Sequence, residues 1–87
     1  MKPIHFPQHA LLRMQARGAT IAEVTNAIQT GHWQPAQQGR LEVHKILPFG
    51  QRSPVNQRVY AFKTIHAIFL EQPDMIIIVT VLVYYGN

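Results

Sequence analysis

His9, Arg13 and Arg17 recur at intervals of four in the stretch Gln8–Gly18. At about 100° per residue, three such positions fall within roughly a quarter of a helix circumference. An imidazole beside two permanent guanidiniums can hold consecutive phosphates and move a proton near neutrality. Leu11 and Met14 point away from that stripe, so the helix would be fixed to a core by its apolar side. The same spacing also has a structural meaning. Arginines near a helix C-terminus suit the macrodipole, and the histidine or an arginine can pin the helix to a sheet.

Further along the chain lie Arg40, His44, Lys45, Arg58, His66, Tyr84 and Tyr85. Metal-free cleavage of an RNA phosphodiester needs this mixture: a base for the 2′-hydroxyl, an acid for the leaving oxygen and cations around the phosphorane. His9 would serve as acid or base, Arg13 and Arg17 would bind phosphate, and Lys45 or Arg58 would stabilise charge. Acidic residues are limited to Glu23, Glu42, Glu71 and Asp74, with no pair at carboxylate metal spacing. A two-metal nuclease or a glycosidase is therefore disfavoured. His5 and His9 have a zinc-like interval, but Pro7 stands between them, so no metal and no cofactor is expected. There is no cysteine, no Gly-rich phosphate loop and no G-x-S-x-G, and Ser53 is the only serine.

The elements that must position these groups read as follows. Pro7 suits the first turn of a helix ending at Arg17, with Gly18 at the C′ position. Thr20 and Glu23 form a capping box for a second helix, whose apolar face is Ile21, Val24, Ala27 and Ile28 and which Gly31 ends. Glu23, Asn26 and Gln29 on its polar side do not suit a DNA-reading helix. Gly31–Gly39 is a loop in which Trp33 folds back on the helices. Strands are expected over Leu41–Leu47, Val55–Phe62, Thr64–Leu70 and Met75–Tyr84, with Pro48–Pro54 as a turn-rich connection. In that reading Arg58 shares a strand face with Tyr60, and Lys45 interrupts an apolar alternation. The run MIIIVTVLVY at 75–84 has the composition of a central strand buried on both faces. Ile4 and Phe6 cap the core or form a short edge strand broken by proline. The expectation is one α+β domain over residues 1–87, with two N-terminal helices packed on a mainly antiparallel sheet of about four strands.

Hydrophobic residues make up 47% of the 87 and charged residues 14%. So few charges suggest that a partner, or a second copy in a homodimer, covers some apolar surface. The net charge of +4 favours RNA or an acidic protein. Met75–Tyr85 is too short to cross a bilayer as a helix, and MKPIHFPQ has no apolar secretory core, so a cytoplasmic protein without a membrane partner is expected.

The stretch HALLRMQARGATIAEV resembles the H-A-x-x-R-M-x-x-R-G-(I/A)-(T/S)-x-x-E-V opening of a small bacterial domain. That domain is grouped with RelE- and BrnT-like toxins and the wider barnase/RelE-like ribonucleases. Ile78-Val79-Thr80-Val81 is similar to its closing strand, while Leu82 before Val83-Tyr84-Tyr85 departs from it. The resemblance implies a two-helix, antiparallel-sheet fold and metal-independent RNA endonuclease activity in a toxin–antitoxin type system, with an acidic antitoxin-like partner masking the basic face. It matches His9, Arg13, Arg17 and Thr80 to motif positions, and adds Thr80 and Tyr84 to the candidate catalytic residues. The alternative is a non-enzymatic module that binds RNA or an acidic protein through the same face.

Overall fold

The computed structural model describes all residues, 1–87. Two helices, α1 (Gln8–Arg17) and α2 (Ile21–Thr30), pack on one face of a five-stranded sheet. The strands are β1 (Ile4–His5), β2 (Gln34–Pro35), β3 (Leu41–Arg52), β4 (Val59–Glu71) and β5 (Ile76–Gly86). Their order is β1-β5-β4-β3-β2, with β1 parallel to β5 and the other pairs antiparallel. The α+β class and the two helices agree with the sequence. The sheet is mainly antiparallel as expected, but it is mixed through the one parallel pair at its edge and consists of three long strands flanked by two dipeptide strands.

The differences have local causes. Val55–Phe62 and Thr64–Leu70 are not two strands. β4 starts at Val59 and continues unbroken, because Lys63 keeps the alternation in phase with Ile65, Ala67 and Phe69. Residues 53–57, including Val55, form the tip of the β3–β4 hairpin. Ser53 closes it: its N–H donates to the Arg58 carbonyl (2.8 Å), and its own carbonyl accepts from Gln57 N–H (2.8 Å). Arg58 therefore lies in the turn, not on a strand face with Tyr60. Pro48 does not end β3, whose outer edge is largely unpaired there, where a missing N–H is tolerated. At the other edge, Ile4 and His5 lie beside Ile76 and Ile77 as a parallel pair.

The helices form for the reasons the sequence suggests. Gly18 takes a left-handed conformation (φ 88°) and closes α1 by donating to the Met14 carbonyl. A Cβ at Gly18 would run into the Tyr85 hydroxyl and Pro54. Both halves of the Thr20–Glu23 capping box are present. Ala10, Met14, Val24, Ala27 and Ile28 are buried against Val43, Ile65, Phe69, Ile78 and Val81. Trp33 folds back as expected, donating to the Ile28 carbonyl (2.8 Å) and meeting the Phe69 ring edge-on at 5.0 Å. Truncating the fully buried Phe69 to alanine would cost about 3–5 kcal/mol.

No layer covers the other face. β5 is not a central strand buried on both sides; it lies second from the edge, and its apolar run also lines the open face. A bulge interrupts it. Ile68 of β4 opposes Thr80 and Phe69 opposes Ile78, so Val79 has no partner across the ladder. On the open face Ile46, Phe62 and Tyr84 are each about half exposed or more (67%, 48% and 53%).

Candidate functional sites on the two faces of the sheet

On the helix side, the C-terminal end of α1 is held by polar groups from β4 and β5. Carbonyls in the last turn of a helix lack intrahelical donors. Here Tyr85 donates its hydroxyl to the Arg17 carbonyl (2.6 Å), and the Lys63 ammonium donates to the Gly18 carbonyl (2.8 Å). Lys63 is almost fully buried, pairs with Glu23 at 2.8 Å and stands over the Phe49 ring. Glu23 thereby joins the start of α2 to the end of α1, since its other oxygen accepts from Thr20 N–H (3.0 Å). Burial raises the Tyr85 phenol above its ordinary value; the Glu23 carboxylate adds to the rise, and the Ser53 hydroxyl opposes it.

The cationic stripe of α1 faces the free edge of β5. Arg17 donates to the Val81 carbonyl (2.7 Å), and His9 donates from Nε2 to the carbonyl of the bulged Val79 (3.3 Å). Between them Arg13 is exposed and makes no side-chain hydrogen bond or ion pair. The other sequence candidates do not converge on this stripe. Lys45 is half buried on the helix side of β3, opposite Ile65, and Arg58 is exposed in the hairpin turn. Thr80 and Tyr84 belong to the open face, opposite Ile68 and Thr64.

That open face carries a second polar grouping. His44 and His66 are direct cross-strand partners, with rings stacked at 3.9 Å and 18°. Glu42, two residues before His44, lies 2.7 Å from His66 Nε2. His66 is mostly buried, its Nδ1 has no hydrogen-bond partner, and His44 is exposed. Tyr84 stands on the far side of His66, ring centres 6.2 Å apart. A cleft of about 510 Å³ adjoins this group, lined in part by Arg40, Glu42 and Ile68.

Lys63 and the Glu42–His44–His66 group were not among the principal candidates that spacing suggests. For Lys63 a signal exists: it is a charge in phase with the apolar positions 65, 67 and 69. For the second group the residue types are visible, but their meeting depends on the β3–β4 register, which the length of the hairpin sets.

Comparison with known proteins places the chain in a family without adding an activity. No curated protein and no solved structure gives a significant match. A family model described as a domain of unknown function, DUF4258, matches residues 6–83. The chain therefore belongs to the DUF4258 family.

Proposed function

We propose that the chain is a small metal-independent RNA endonuclease working from the open face of the sheet. The observation that carries this reading is the line Glu42–His66–His44 beside Tyr84 on a face that no helix covers. His44 on β3 and Tyr84 on β5 are exposed and flank His66 on β4. Two interstrand spacings and a two-residue offset along the strands separate them, about 12 Å at the backbone. A phosphodiester laid across β4 would meet an imidazole on one side and a phenol on the other. His44 would take the 2′-hydroxyl proton, and Tyr84 would donate to the leaving oxygen. His66, held by Glu42, is a positioning residue that supports the His44 ring from beneath. Arg40 in the adjoining cleft supplies a cation for the neighbouring phosphate. Arg13, free on α1, would contact RNA or an acidic antitoxin-like partner, while His9 and Arg17 hold the helix to β5.

The test is incubation of single-stranded RNA with partner-free protein in EDTA, followed by analysis of product ends. Cleavage leaving cyclic phosphate ends is the expected result, with loss of about 10²- to 10⁴-fold in His44→Ala. RNA that stays intact, or is cleaved equally by His44→Ala, overturns the reading. Binding without cleavage would favour the non-enzymatic module instead.

A further inference from the structure

We propose that Glu42, His44 and His66 form a binding site for a divalent transition metal of the zinc class. The proposal goes beyond the nuclease reading and does not depend on it. One carboxylate oxygen and one nitrogen from each imidazole lie within 4.8 Å of one another. No other three His, Asp or Glu side chains in the molecule gather in this way. Two imidazoles and a carboxylate are a donor set that such metals favour, leaving a fourth position for water.

The backbone supports the same conclusion. His44 and His66 are paired directly across two long strands, and Glu42 projects from the same face one repeat along β3. The three donors are thus presented by a rigid ladder, so little chain entropy is lost when an ion brings them together. A tetrahedral ion bound at about 2.0–2.1 Å needs donors about 3.3 Å apart. His66 and Glu42 are already in contact at 2.7 Å, and the exposed His44 is free to turn towards them. The buried Nδ1 of His66 is the one buried side-chain polar atom without a partner. It lies across the ring from Nε2, the nitrogen that faces Glu42, so the ion is held through Nε2 and this atom is not one of the donors.

The remaining histidines offer no comparable set. His5 and His32 are exposed and unpaired, and His9 is bonded to the Val79 carbonyl. A metal on the trio would occupy the lone pair that His44 needs as a base. Zinc would therefore suppress any RNA cleavage from this face.

Zn²⁺ titrated calorimetrically into the metal-free full chain tests the site without RNA. The expected result is one equivalent bound, a higher melting temperature, and affinity lowered at least about tenfold in His44→Ala and in Glu42→Gln. His32→Ala should bind as the unmodified chain does. Co²⁺ in place of zinc should give the visible absorption of a low-coordinate nitrogen–oxygen site, lost in His44→Ala. His44 is exposed, so that variant is expected to keep its fold, which its melting curve checks. Absence of saturable Zn²⁺ binding, or equal binding by a folded His44→Ala variant, overturns the proposal. RNA cleavage plays no part in this readout, so a negative result leaves the nuclease test intact.

Discussion

The two faces of the sheet treat their polar side chains in opposite ways. Against the helices, Lys63, Glu23, Arg17 and Tyr85 each have a protein partner, and together they join α1, α2, β4 and β5. On the open face, His44 has only a stacked ring, His66 keeps a nitrogen without a partner, and Tyr84 is half exposed. Groups whose bonding is complete within the protein hold the fold together. Groups with bonding capacity left over are the ones available to a ligand. By that criterion most of the cationic stripe on α1 belongs with the first set, since His9 and Arg17 are bonded to β5 carbonyls.

Substitutions on each face should separate accordingly. The largest effect should come from the open face. His44→Ala should lower RNA cleavage by about 10²- to 10⁴-fold while leaving stability within about 0.5 kcal/mol, as read by urea unfolding. On the covered face the balance should reverse. Lys63→Met leaves the Gly18 carbonyl and the Glu23 carboxylate without their partner. It should lower the unfolding free energy by about 2–4 kcal/mol, less than for a fully buried pair because Glu23 is partly exposed. Cleavage per folded molecule should hardly change, and a selective loss of cleavage with full stability would break the comparison.

Tyr85 gives a smaller effect with a pH signature. Its phenol titrates above the ordinary value in the folded chain, so the unfolded chain loses the proton first as pH rises. The stability that this provides is fully present below about pH 10, the unfolded value, and is lost as pH rises through the folded value. Tyr85→Phe should lose about 0.5–1.5 kcal/mol near neutrality with its hydrogen bond, and should show a shallower alkaline decline. Denaturant unfolding at several pH values reads both. The smallest effect on stability belongs to Arg13→Ala, within about 0.5 kcal/mol, because its side chain has no partner to lose. Retained RNA affinity in that variant would remove Arg13 from the contact surface.

The sequence made the local features legible and left the long-range ones hidden. The Thr20–Glu23 box, the Gly18 stop and the return of Trp33 depend on neighbours a few residues away, and all three are found. The stripe of His9, Arg13 and Arg17 was equally visible, but its spacing could not say that two of the three would meet carbonyls some 64 to 70 positions away. The parallel pairing of β1 was hidden for the same reason: Ile4 and His5 find their partner only after the rest of the sheet exists. The meeting of His44 and His66 required the hairpin register, which itself depends on β3 continuing through Pro48.

The bulge at Val79 also decides which of two adjacent tyrosines does which job. Counted in twos from Ile76 and Ile78, an unbroken strand would turn Tyr84 towards the helices and leave Tyr85 outside. The extra residue shifts that count by one. Tyr85 reaches the end of α1, and Tyr84 is free beside His66. The dipeptide Tyr84-Tyr85 is thus a pair of interchangeable parts assigned by a single insertion upstream. Straightening the strand with Val79 retained would exchange their addresses, whereas deleting Val79 would remove the bulge with its extra residue and leave each tyrosine where it is.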